Sequence, residues 1–122
     1  MATNKIPQGG DARIVCTVTD QDGDAFDLTG ALEIELAVYQ NTGAILARLR
    51  LSDSRVSVTN AAGGIFEAYL DRSVTERAEP GVIFGEIAVE KTNASFESSK
   101  QRIVSTAKRI GEIVTGVMNE DR

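Results

Sequence analysis

Acidic side chains carry most of the chemical potential of this chain. Asp20, Asp22 and Asp24 alternate around Gly23 in the run Asp20-Gln21-Asp22-Gly23-Asp24, and alternate carboxylates about a glycine are what a calcium loop uses. The EF-hand spacing fails at two places: glycine stands at loop position 4 instead of 6, and position 12 is Ala31 instead of glutamate. The run therefore reads as a hairpin turn with solvated carboxylates, and no metal ligand is assigned. Glu33 with Glu35, and Glu86 with Glu90, are close enough in sequence for two-carboxylate hydrolysis. That chemistry needs a cleft between the pair, and all four fall on the polar side of alternating runs. Gly111-Glu112-Ile113-Val114-Thr115-Gly116 has the glycines of a phosphate loop but no lysine after the second one.

Cys16 is the single cysteine, and the chain contains neither histidine nor tryptophan. An intrachain disulfide, histidine triads, histidine-ligated metals and histidine acid–base catalysis are excluded. Cys16 sits in an apolar alternating run, which predicts a buried, inert thiol. The six aromatics (Phe26, Tyr39, Phe66, Tyr69, Phe84 and Phe96) are spread along the chain. They read as core plugs or packing pairs, because a stacking platform for sugars or bases would cluster them. No catalytic residue and no cofactor is predicted, and the chain is not expected to be an enzyme.

The elements that hold these residues are strands. A chain of 122 residues is one domain, and Val, Ile and Thr together make up 31 of them. Ile14, Cys16 and Val18 alternate with Val15, Thr17 and Thr19; Ile34, Leu36 and Val38 alternate with Glu33, Glu35 and Ala37. The same period of two continues through Ile45–Leu51, Val56–Val58, Ile65–Leu70, Ile83–Glu90 and a return run over 96–105. Turn signals separate these runs: Asp20–Asp24, Gln40–Gly43, Asn60–Gly64 and Thr92–Ser95. Ser73-Val74-Thr75-Glu76 has capping-box spacing for one helical turn, stopped by Pro80-Gly81. The pattern predicts an all-β antiparallel sandwich of about seven strands over 11–105. Ile14, Cys16, Val18, Ile34, Leu36, Val38, Phe66, Leu70, Ile87 and Val89 are expected to point inward.

Outside that body lie two segments. Residues 1–10 are polar, contain Pro7 and Gly9-Gly10, and read as an N-terminal arm. Residues 106–122 read as a C-terminal arm or an extra strand, with helical spacing of Ala107, Ile110, Val114 and Val117 opposed by Gly111, Gly116 and several β-branched residues. Both arms are expected to lie outside the sandwich and contact neighbouring subunits, through Lys108, Arg109, Ile110, Ile113, Val114, Val117 and Met118. Residues 1–99 carry 8 basic and 15 acidic side chains and residues 100–122 carry 5 and 3, so a −7 body precedes a +2 end. Such a body repels phosphate backbones, so no nucleic-acid partner is expected. No run approaches the roughly 18 apolar residues of a membrane span, and no signal peptide is visible.

The order of motifs resembles an immunoglobulin-like domain of tailed bacteriophages, found at the N-terminus of upper baseplate proteins and of tail-fibre or head-fibre proteins. The resemblance rests on Asp11-Ala12-Arg13-Ile14 to Val18-Thr19-Asp20-Gln21-Asp22-Gly23, followed by Phe26-Asp27-Leu28-Thr29-Gly30-Ala31 and a strand. Asn60-Ala61-Ala62-Gly63-Gly64-Ile65-Phe66, Ser73-Val74-Thr75 and Pro80-Gly81 are similar to later family elements, so it covers about residues 10–105. Within Asp27–Ala31, Leu28 is suited to plug the sandwich end, Asp27 or Thr29 to bond the turn backbone, and Gly30 to take a positive φ.

The resemblance implies a virion structural protein, synthesised in the host cytoplasm, that assembles symmetrically with other virion proteins and with copies of itself. The expected role is a multi-copy assembly or attachment module of the tail, neck or baseplate. The alternatives are a capsid decoration or head-fibre protein of the same fold, and a soluble carbohydrate- or calcium-binding sandwich module. Fibre proteins of this type continue into long shafts, whereas this sequence stops at Arg122, which suggests a free-standing module.

Overall fold

The computed structural model describes residues 5–105 and 108–115. Within them nine strands run in chain order: β1 (Lys5–Pro7), β2 (Ala12–Thr17), β3 (Glu33–Tyr39), β4 (Ile45–Arg50), β5 (Val56–Asn60), β6 (Ile65–Leu70), β7 (Gly81–Thr92), β8 (Lys100–Val104) and β9 (Lys108–Val114). Two short helical segments occur, a 3-10 turn over Leu51–Asp53 and the α-helix α1, Arg72–Thr75. The larger sheet has the order β1-β9-β7-β3-β4, and β8 also pairs with β7. The smaller sheet has the order β2-β6-β5. Every pairing is antiparallel except β1 with β9, which is parallel. The all-β sandwich expected from the alternation is the observed fold.

One core joins the two sheets. From the larger come Ile34, Leu36, Val38, Ile83, Val89 and Ile113; from the smaller come Ile14, Cys16, Val56, Phe66, Ala68 and Leu70. Of the ten residues expected inward, nine are buried, and Ile87 is partly buried against the same core. Leu28 closes one end: it is 2% exposed and its N–H donates to Ala61 O at 2.9 Å. Gly64 is required beside it. It has φ +71°, and a Cβ there would lie 2.5 Å from Val18 O and 2.8 Å from Phe26 O.

β7 is long because it serves two partners on one side, β9 along Gly81–Gly85 and β8 along Ala88–Thr92. β8 and β9 thus form one line, interrupted at Ser105. There the Ser105 Oγ accepts from Ile87 N at 3.0 Å, while Ser105 N donates to Ile87 O at 2.9 Å.

The arms are the main correction. Residues 5–7 and 108–114 are strands of the larger sheet, not appendages. Of the two alternatives for the C-terminal segment, the extra strand is what forms over Lys108–Val114. Ile6 and Ile113 are 4% and 1% exposed, so each belongs to the core. After β1 the chain is tied down residue by residue. Gln8 Nε2 donates to Ala78 O (2.8 Å), Gly9 N donates to Thr75 Oγ1 (3.1 Å), Thr75 Oγ1 donates to Gly10 O (2.8 Å), and Arg72 N donates to Asp11 Oδ1 (2.8 Å). Thr75 is fully buried, and a buried hydroxyl must find partners; the supposed arm supplies them.

Three local expectations also shift. The capping box does not form: the N-cap lies two residues earlier, at Asp71 instead of Ser73, and the distant Asp11 takes the first amide. A register break between Val38 and Tyr39 moves β4 out of phase, burying Leu46 and exposing Ile45. The hairpin after β7 is longer than four residues, because Asn93 N donates to Ser99 O, and Phe96 lies exposed at its tip.

Candidate functional site

The carboxylates with the best spacing for a metal are used by their own turn. Asp20 Oδ1 accepts the amides of Asp22 (2.9 Å) and Asp24 (3.1 Å), and Asp20 N donates to Asp24 O. This is a side-chain-capped hairpin turn. Among the described residues no group of three carboxylates or thiols is arranged to hold a metal ion. Asp27 works similarly: its Oδ1 accepts Thr29 N at 2.9 Å, Gly30 takes φ +73°, and Ala31 N returns to Leu28 O. Hydrogen bonding to Thr29 holds the Asp27 carboxyl below its ordinary range, with Lys91 adding to the effect. Lys91 Nζ donates to Asp27 O and lies 5.4 Å from the centre of the Phe26 ring. Gly111–Val114 lies within β9, so the glycine-bracketed run is largely strand, not a phosphate loop.

The remaining acids form a band on the outer face of the larger sheet. Glu33 lies opposite Glu90, and Ala37 opposite Glu86, across β3 and β7. Bases flank the band: Arg50 and Arg48 oppose Glu35 and Ala37 from β4, and Arg102 opposes Glu90 from β8. Glu35 is held between Arg50 Nε (2.7 Å) and Arg48 Nη1 (3.1 Å), and this bonding raises the Arg50 pKa. For Glu33, partial burial pushes the pKa up, yet hydrogen bonds from Ser52 and Ile34 N, with the Arg50 charge, hold it below the ordinary value. Like charges directly opposite in a sheet are destabilising, and these neighbours compensate. Glu33, Glu35, Glu90 and Arg102, with Ala88, line a small depression of about 110 Å³.

Cys16 is buried at 7% exposure, and burial pushes its thiol up to about 12. It forms part of the floor of an apolar groove. This groove runs between the outer side of β2 and the β8–β9 line, encloses about 230 Å³, and has Val18, Leu36, Ile87, Ile103 and Ile110 beside Cys16. Lys108 and Arg109 stand exposed at its rim. Ile110 reaches over the floor because Gly85 has no side chain: a Cβ there would lie 2.9 Å from both Ile110 Cγ2 and Leu36 Cδ1.

The seven residues predicted to contact neighbours are therefore dispersed. Lys108, Arg109 and Ile110 meet at the groove; Ile113 is core; Val114 is half-buried at the far end of β9. Val117 and Met118 lie outside the described residues. The aromatic expectation also divides, since Phe66 is core while Tyr69 and Phe96 are 37% and 48% exposed. The groove itself escaped the periodicity, because alternation assigns residues to faces and says nothing about where one sheet overhangs the other. Gly85 within an apolar run was the available signal. No protein-family model matches the chain, and no curated protein matches it.

Proposed function

We propose that the chain is a non-enzymatic assembly module, a multi-copy structural protein of a bacteriophage tail, neck or baseplate. The observation that carries this reading is the Asp27–Ala31 element. Asp27 caps the turn, Leu28 plugs the end of the core and Gly30 takes the left-handed backbone, which gives the phage-family motif a structural reason in this chain. Strand order supports it. The partial order β9-β7-β3-β4 against β2-β6-β5, with β1 and β8 as further strands of the larger sheet, matches the G-F-C-C′ against B-E-D order of a variable-type immunoglobulin-like sandwich. The chemistry of the surface points the same way: the acids that could have formed a site are committed to turns and cross-strand pairs, whereas sheet faces and edges remain for contact.

Mass spectrometry and electron cryomicroscopy of purified phage particles from the source of the chain test this. Many symmetric copies in the tail, neck or baseplate are expected. Density on the head shell would move the protein to capsid decoration, and absence from the particles would overturn the virion reading.

A further inference from the structure

β1 stops short of the strand it joins. It pairs in parallel with β9 as Lys5↔Glu112, Ile6↔Ile113 and Pro7↔Val114. β9 begins further back, at Lys108, and among the described residues no strand pairs with Lys108–Gly111 on the side that β1 takes. This bare edge borders the apolar groove, which Lys108, Arg109 and Ile110 line together with Val15–Thr19 of the smaller sheet's flank. An unpaired strand edge beside an apolar groove is a place where a further strand adds.

We propose that residues 1–4 of the same chain fill this place, as a strap that continues β1 along β9. In a parallel pair each step back along one strand is a step back along the other. Asn4, Thr3, Ala2 and Met1 therefore fall opposite Gly111, Ile110, Arg109 and Lys108. No turn is needed, because these residues lead directly into a strand that is already paired. The bonding pattern agrees. Gln8 N donates to Val114 O, and every second residue of a strand turns its N–H to the same neighbour. Ile6 and Asn4 thus face β9, while Pro7, which has no N–H, sits at a position that faces away. Size agrees as well. The groove encloses about 230 Å³, below the roughly 300 Å³ at which small-molecule pockets begin, and by alternation the short side chain of Ala2 shares the face of Ile6. Two other occupants are less well placed. Residues 116–122 leave β9 at its Val114 end, where β1 already lines the same edge, and reach the groove only by reversing direction and passing β1. A strand from a second copy competes with a segment tethered beside the edge, whose effective concentration is on the order of millimolar. The strap belongs to the fold of one chain and is independent of the virion reading. With it in place, any second strand at this edge must first displace residues 1–4.

Amide hydrogen exchange of the full chain, followed by NMR over a dilution series, tests the proposal. The Asn4 amide is expected to exchange at least about tenfold more slowly than in an unfolded chain at every concentration, and the Thr3 amide to exchange freely. Asn4→Pro removes the donor that faces β9, so it should lower the melting temperature and speed exchange at Lys108–Gly111. Thr3→Pro, at an outward position like that of Pro7, should do neither. Truncation after Thr115 should leave Asn4 and Lys108–Gly111 as protected as in the full chain. An Asn4 amide that exchanges as in an unfolded chain, or two proline variants that behave alike, overturns the proposal. So does protection of Lys108–Gly111 that is lost on truncation after Thr115, which would give the groove to residues 116–122, and protection that fades on dilution, which would give it to a second copy.

Discussion

The side of the sandwich beside β9 is sealed at one half and open at the other. At the Val114 half, β1 adds to β9, Ile6 and Ile113 are buried together in the core, and Gln8, Gly9, Gly10 and Asp11 are bonded in turn to Ala78, Thr75 and Arg72. At the Lys108 half the groove lies between β2 and β9, and Ile87 and Ile110 are only partly covered. Closing a sandwich flank therefore takes two things here. An apolar plug must fill the gap, and the segment carrying it must find partners for its own backbone. Residues 5–11 supply both because a buried threonine on α1 accepts and donates to them. The open half has the apolar floor and a free strand edge but, among the described residues, no segment that answers them.

The comparison breaks most visibly at the plug. Replacing Ile113 by Ala should cost about 2–5 kcal/mol in urea unfolding, as for other buried large-to-small changes. Val15→Ala at the edge of the open half should stay within about 0.5 kcal/mol, since Val15 faces solvent. Equal costs at the two positions would mean that the two halves are sealed alike. Next comes the polar tie. Thr75→Val keeps the shape but leaves Gly9 N and Gly10 O without the hydroxyl, which should cost about 1–3 kcal/mol and increase amide exchange at residues 8–11. An unchanged stability would show that Ile6 alone holds the segment.

That tie explains which parts of the fold could be read from sequence. Inward positions such as Ile34, Leu36 and Phe66 were legible because one dry face and one wet face impose a period of two. The Asp27–Ala31 turn was legible because its two conformational devices, the Asp27 cap on Thr29 N and the positive φ of Gly30, are local. The role of residues 5–11 was not, because it depends on hydrogen bonds spanning 61 to 70 positions, and Gly9-Gly10 reads as a loop whether or not a distant hydroxyl meets it. The phase of β4 failed for a related reason: one register break moved Ile45 outward and Leu46 inward. Of the candidate contact residues, Lys108 and Arg109 were legible as exposed cations. Ile113 was misread, because apolar residues past an apparently complete core look surplus until the sheet is seen to extend through them.

The effect that is smallest at neutral pH, where it vanishes, asks how deep the opening goes. Cys16 lies on the floor of the open half, yet burial pushes its thiol from 9.0 to about 12. The folded chain therefore keeps this proton over a pH range in which the unfolded chain loses it. Where the native state binds more protons, stability falls as pH rises. Between about pH 9 and 12 the native protein should thus lose stability faster than Cys16→Ala, while below about pH 8 the two should differ only by a constant offset. Thiol labelling supplies the second measurement. A sealed floor makes labelling at about pH 8 wait for unfolding, so its rate should rise with urea in step with the global transition. Rapid labelling without urea, or identical alkaline slopes for the two proteins, would mean that water already reaches Cys16. The open half would then be a breach in the core, not a dry groove along the flank of β2.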